Sequence, residues 1–142
     1  MATFRIKRFN PEKQPEPYFE EFELDIPDGA TLLDCMNEIK WTLDGSLSYR
    51  MSCRSAICGS CAVKANGHAL LACQRQGEHL LDNDDTITLE PLGNMKPIKD
   101  LAVDFTPFWD KINKVKPYLE PKDEAPAKER HQSQEEFLII DD

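Results

Sequence analysis

The chain has 142 residues, 26 acidic against 17 basic for a formal net charge of −9, and a hydrophobic fraction of 40%. That length supports one domain of ordinary size with an appendage. The charge argues against nucleic acid, which rewards basic stripes through counterion release, and no apolar run approaches the roughly 18 residues of a spanning helix.

The N-terminal stretch MATFRIKRFNPEKQPEPYF lacks the apolar run of a signal peptide, and its Glu12, Glu16 and Glu20 do not suit a transit peptide. The reading is a soluble, intracellular protein, without membrane insertion of its own. In a reducing compartment its five cysteines are ligands, catalysts or buried apolar residues rather than disulfides.

Phe4 and Ile6 alternate with Arg5 and Lys7, the pattern of a half-buried strand. NPEKQPEP breaks it, and alternation resumes from Tyr18 through Phe22, Leu24 and Ile26, which predicts a hairpin with a long loop. After the turn Pro27-Asp28-Gly29, Thr31 is placed to cap a helix with Asp34 in its first turn. Leu32, Met36, Ile39 and Leu43 mark that helix's apolar stripe and Gly45 its C-cap. Ser46 to Cys61 has neither period and is rich in Ser, Gly and Cys, so it reads as a functional loop. Ala62–Ala65 and Ala69–Cys73 flank Asn66-Gly67, a hairpin signal, and Thr86 to Leu92 is a β-branched strand.

These elements predict an α+β domain, a mixed sheet crossed by one helix, over residues 1–96. Residues 97–142 then form a helix and acidic linker. Thr106-Pro107 opens the helix, Phe108, Ile112 and Val115 share one face, and Pro117 ends it. The polar, Pro-punctuated tail from Lys122 to Asp142 is expected to bury too little apolar surface to order itself.

Charge is unevenly spread. Residues 117–142 hold eight acidic and three basic groups, whereas residues 45–77 contain no Asp or Glu but include Arg50, Arg54, Lys64 and Arg75. That acid-free stretch holds CRSAICGSC, with Cys53, Cys58 and Cys61, and then Cys73 after eleven intervening residues. Neighbouring cations favour deprotonated sulfur.

A zinc ribbon would show two C-x2-C knuckles, but only Cys58-Gly59-Ser60-Cys61 is present. A thioredoxin-like pair would start a helix after a strand, whereas a strand and an Asn-Gly turn follow Cys61. C-x4-C-x2-C with a later cysteine is the plant-type spacing for a 2Fe–2S cluster. Each iron takes two bridging sulfides and two thiolates, so Cys53, Cys58, Cys61 and Cys73 are the candidate metal and cofactor ligands. Small residues, Ser55, Ala56, Gly59 and Ser60, let the backbone aim N–H groups at sulfur. Gly59, between two ligands, is expected to need a backbone conformation or a close approach to sulfide that a Cβ obstructs. Cys35, on the apolar helix, reads as a packing residue, Trp109 as a packing anchor, and His68, His79 and His131 as surface or turn residues.

The run YRMSCRSAICGSCAVKANGHALLAC resembles the N-terminal ferredoxin domain of the iron–sulfur subunit of succinate dehydrogenase or fumarate reductase. The short interval to Cys73 separates it from ordinary plant ferredoxins. IPDGATLLDCMNEIKWTLDGSLSYR and PLGNMKPIKDLAVDFTPFWDKINKVKPYLEP extend the likeness over nearly the whole chain from Phe4.

The resemblance implies a β-grasp domain holding a 2Fe–2S cluster, docked on a flavoprotein subunit with covalently bound FAD. The complex would sit peripherally on the cytoplasmic face of the inner membrane, through a membrane-anchor subunit. Electrons would pass between flavin and further clusters, then to or from quinone, and the chain alone would not be catalytic. The family's second domain carries 4Fe–4S and 3Fe–4S clusters, but no cysteine follows Cys73. That domain is therefore expected on another chain or beyond a fragment's end, with Phe137-Leu138-Ile139-Ile140 awaiting it. The alternative reading is a free plant-type ferredoxin serving other reductases.

Overall fold

Alternation at the start of the chain becomes β1 (Ala2–Asn10), in which Ala2, Phe4, Ile6 and Arg8 are buried and the residues between them are not. The computed structural model describes residues 1–129 and 131–140. β2 (Gln14–Leu24) pairs antiparallel with β1, Phe4 facing Phe22 and Ile6 facing Glu20. The turn between them is only residues 11–13, not the long loop expected from NPEKQPEP. Pro15 and Pro17 lie inside β2, which is the outermost strand, and an edge strand tolerates residues that cannot donate to a ladder.

Three more strands complete the sheet: β3 (Ala62–Ala65), β4 (His68–Leu71) and β5 (Thr86–Glu90). Their order is β2-β1-β5-β3-β4, with β1 and β5 parallel and every other neighbour antiparallel. The sheet is mixed, as expected. Between β2 and β3 runs α1 (Leu32–Glu38), opened by a capping box in which Thr31 Oγ1 accepts from Asp34 N–H and the Asp34 carboxylate accepts from Thr31 N–H. Leu32, Leu33, Cys35 and Met36 of α1 join Phe4, Ile6, Val63, Ala65, Ile87 and Leu89 of the sheet in one core. Burying each large side chain there contributes about 1.5–3 kcal/mol.

The helix does not continue regularly to a glycine cap. Ile39–Leu43 form a π-turn closed by Asp44 N–H to Ile39 C=O at 2.9 Å. The wider turn carries Leu43 off the apolar stripe, leaving it 51% exposed, and Asp44, in extended backbone, ends the segment in place of Gly45.

Two short strands went unread in the sequence, β6 (Pro97–Lys99) and β7 (Ala102–Val103), which pair antiparallel. α2 (Thr106–Val115) starts at Thr106, whose N–H is taken by Asp104 Oδ1 at 2.9 Å, so Asp104 is the side-chain acceptor there. It ends before Lys116, at φ +49, and Pro117. The chain divides into two compact units, Met1–Phe108 and Trp109–Asp142.

In the second unit, α3 (Gln134–Ile140) interrupts the expected featureless tail. Ser133 Oγ accepts from Glu136 N–H and the Glu136 carboxylate accepts from Ser133 N–H, a capping box legible in SQEE. Phe137, Leu138 and Ile139 are exposed, and Trp109, expected as a packing anchor, is 56% exposed. Arg130, Asp141 and Asp142, also within the expected tail, lie outside the described residues. No helix among the described residues is long and apolar enough to cross a membrane.

Candidate functional site

Cys61 and Cys73 are neighbours because of a hairpin. Asn66 and Gly67, at φ +47 and +84, make the two-residue turn that suits the twist of β3 and β4. The register pairs Ala65 with His68 and Ala62 with Leu71, and just beyond it Ala72 N–H reaches Cys61 C=O at 3.2 Å. The eleven-residue interval is therefore the length of a tight hairpin, with one thiol at each open end. Asn66 fastens it to its surroundings, accepting from Thr88 N–H at 2.7 Å and donating to Leu80 C=O at 2.6 Å.

Cys53 and Cys58 come from the irregular loop. Arg54 and Ala56 take left-handed backbone at φ +57 and +58, uncommon for residues with a Cβ. The turns they make bring successive N–H groups onto sulfur. Ser55 N–H and Cys58 N–H each donate to Cys53 Sγ at 3.3 Å, and Ala56 N–H crosses to Cys73 Sγ at 3.3 Å. That last bond ties the loop to the hairpin. Gly59 is also left-handed, at φ +71, and nothing lies within 4 Å of where its Cβ would stand. Of the two reasons expected for this glycine, the left-handed conformation is observed, and no protein atom crowds the Cβ position.

The four thiols fall into two unequal pairs. Cys58 is exposed and Cys53 half-buried, whereas Cys61 is buried and Cys73 half-buried. The Ser60 hydroxyl, 3.1 Å from Cys58 Sγ, with backbone groups of Cys53 and Ser60, holds the Cys58 thiol down at about 6. Burial pushes the Cys61 thiol up, and the adjacent Cys73 adds to the rise. Among the described residues no group of three His, Cys, Asp or Glu side chains is placed to hold a metal ion. Cys35 is apart from this chemistry, 1% exposed in the core, where burial and then Asp34 push its thiol up to about 11. His68, His79 and His131 are all exposed.

One group of residues escaped sequence reading. Arg8, 5% exposed on β1, donates from Nε to Asp100, from one terminal nitrogen to both Glu20 and Asp44, and from the other to Ser46. Lone charged residues scattered over the sequence carry no local signal of such a cluster.

Two thiol pairs, N–H donors aimed at their sulfurs and a mixed sheet crossed by one helix define a thiolate-ligated cluster module of the ferredoxin kind. Residues 3–110 match the 2Fe-2S iron-sulfur cluster binding domain family, and the chain belongs to that family. The donor set fits such a cluster, with a pair of thiols for each iron.

The chain is 44% identical to the 8-methylmenaquinol:fumarate reductase iron-sulfur subunit of Wolinella succinogenes, over 94% of this chain and 43% of that protein. It is 40% identical to the succinate dehydrogenase iron-sulfur subunit of Coxiella burnetii, over 98% of this chain and 58% of that one. Among solved structures it resembles a chain of the Mycobacterium smegmatis Sdh1 complex in the apo form, with a TM-score of 0.76 and 26% identity over 94% of this chain and 54% of that chain. The chain thus spans about half the length of the curated relatives it matches.

Proposed function

We propose that Cys53, Cys58, Cys61 and Cys73 ligate one 2Fe–2S cluster and that the chain relays single electrons within a succinate dehydrogenase or fumarate reductase. The relay runs between a flavoprotein (FAD) subunit and further iron–sulfur clusters leading to quinone. The observation that carries this reading is the pairing of the thiols, Cys53 with Cys58 and Cys61 with Cys73, under backbone donors. Bound there, a 2Fe–2S cluster supplies one one-electron couple. The N–H groups of Ser55, Ala56 and Cys58 stabilise negative charge on the sulfurs, and the sheet holds the hairpin end of the site in place.

The surroundings suit docking on a larger partner. Ile57 at the loop is 84% exposed and Met51 40% exposed, beside Arg50 and Arg54 in a stretch free of carboxylates. An apolar tip within a cationic rim fits an acidic-rimmed face of the flavoprotein subunit. In this reading residues 1–96 hold the cluster. Residues 97–142 lead toward a cysteine-rich domain, on the same or another chain, and a membrane-anchor subunit places the assembly on the cytoplasmic face of the inner membrane. The relatives' names favour this subunit role over a free ferredoxin, since those proteins are iron-sulfur subunits about twice as long.

Iron and acid-labile sulfide measured on the purified chain test the cluster, with about two of each expected. Colourless protein with one zinc, or iron near four per chain, overturns it. Co-purification with a flavoprotein tests the subunit role, and rapid reduction by unrelated soluble reductases without such a partner favours the free carrier.

A further inference from the structure

Asp100 is 1% exposed, sits in left-handed backbone at φ +44 between β6 and β7, and is bonded on every side. Its Oδ1 accepts from Arg8 Nε and from Phe9 N–H, each at 3.0 Å, and its Oδ2 accepts from Ser48 N–H at 2.9 Å. Its own N–H donates to Phe9 C=O at 2.8 Å, and the next N–H, that of Leu101, donates to Ser48 C=O at 3.0 Å. A buried carboxylate and a left-handed non-glycine residue are both costly, and a fold keeps them where the surroundings require that arrangement.

The bonds reach two places only, the end of β1 and Ser48, and Ser48 lies five residues before Cys53. The residues that follow Ser48 are held as well. Tyr49 donates its hydroxyl to the buried Asn37 at 2.7 Å, and the Arg50 guanidinium lies over the Phe105 ring at 5.2 Å. Arg8 adds Asp44 and Ser46 to the same anchorage. The entry to the cysteine loop is therefore fixed by α1, by Arg8 of β1 and by the segment that follows the five-stranded sheet.

We propose that Asp100 is a positioning residue for the cluster site: by clamping Ser48 it sets where the Cys53 end of the loop lies relative to its N–H donors. This rests on the ligand assignment above. It makes the β6–β7 segment part of the site's support, so that a change in this segment is felt at Cys53.

Asp100→Asn tests it in the cluster-loaded 142-residue chain. The amide has the carboxylate's shape but turns an N–H toward either Ser48 N–H or the Arg8 and Phe9 donors, so one side of the clamp fails. Leu89→Ala, a core truncation in β5, serves as the comparison for lost stability alone. Iron content of the parent chain reports on the ligand assignment by itself.

Given a loaded parent, Asp100→Asn is expected to alter the g-values of the reduced cluster's paramagnetic resonance spectrum and to bleach severalfold faster in air. Leu89→Ala is expected to lower the melting temperature while keeping the parent spectrum. A parent-like spectrum in Asp100→Asn, with bleaching that only follows melting temperature across both variants, overturns the proposal. Should Asp100→Asn not fold, hydrogen exchange in the parent decides. Protection of the Ser48 and Leu101 amides equal to that of β1 upholds the clamp, and rapid exchange at either overturns it.

Discussion

Ser60 places its hydroxyl oxygen 3.1 Å from the sulfur of Cys58. A sulfur bound to iron carries no proton, so in the loaded site the hydroxyl is the donor. The other donors to these sulfurs from the loop are backbone N–H groups, which nearly any sequence supplies. Ser60 provides one that a substitution removes. Donation to a ligand sulfur favours the more negative, reduced state, so Ser60→Ala is expected to lower the midpoint potential and Ser60→Thr to preserve it. The expected size is up to roughly tenfold in the redox equilibrium, about 59 mV for one electron. Spectroelectrochemical titration of the three proteins checks this, and equal potentials in parent and Ser60→Ala would remove the hydroxyl from the account.

Replacing Cys53, Cys58, Cys61 or Cys73 by Ala is expected to abolish or severely deplete the cluster. Cys35→Ala is expected to keep it, at a packing loss of about 1–2 kcal/mol for a buried sulfur. Iron, sulfide and visible absorption on the five variants make the measurement. Full occupancy in any of the first four sinks the ligand set.

Gly59→Val tests the left-handed backbone between two ligands. No protein atom crowds a Cβ there, but φ is +71, and left-handed backbone costs a β-branched residue about 1–2 kcal/mol or more. The variant is expected to bind the cluster and lose it faster in air, with Gly59→Asn, which tolerates that backbone better, falling between it and the parent. Equal bleaching rates in all three would mean that this strain does not reach the site.

The Arg8 cluster gives the fold an acid limb. Burial alone would raise the Asp44 carboxyl, but hydrogen bonds from Arg8 and then Ser46 hold it at about 2. The unfolded chain then binds more protons over that interval, so the pair's contribution is fully present above about pH 4 and is lost as pH falls toward 2. Asp44→Asn is expected to be less stable at neutral pH, by roughly 1–3 kcal/mol for a hydrogen bond to a charged group, and to show a shallower acid limb. Denaturant unfolding of both proteins from pH 6 to pH 2 checks the sign.

Local chemistry was legible and long-range chemistry was not. Asn66-Gly67 marked the hairpin and Thr31 with Asp34 the helix start, and the spacing of Cys53, Cys58, Cys61 and Cys73 suggested the proposed donor set, because each signal acts over a few residues. Pro15 and Pro17 misled, since whether proline breaks a strand depends on a neighbour that the sequence does not show. The π-turn after Glu38 left no periodic trace over five residues. Ser133-x-x-Glu136 was a readable start signal for α3, lost in a strongly polar tail. Arg8 with Asp100 was beyond reach, being a pairing across 92 residues.

The parallel pairing of β1 with β5 sets a timetable for biosynthesis. Thr3 meets Thr86 and Ile6 meets Leu89, so the sheet's centre waits until the chain has been made past Cys73. At about 5–20 residues per second, the ribosome adds Thr86 roughly two to seven seconds after Cys53. During that interval the nascent chain presents thiols with no sheet behind them, open to stray metal and to oxidants. A metal centre backed by the complete sheet accordingly waits for β5 to be made, and the cell must keep those sulfurs reduced until the first strand finds its partner.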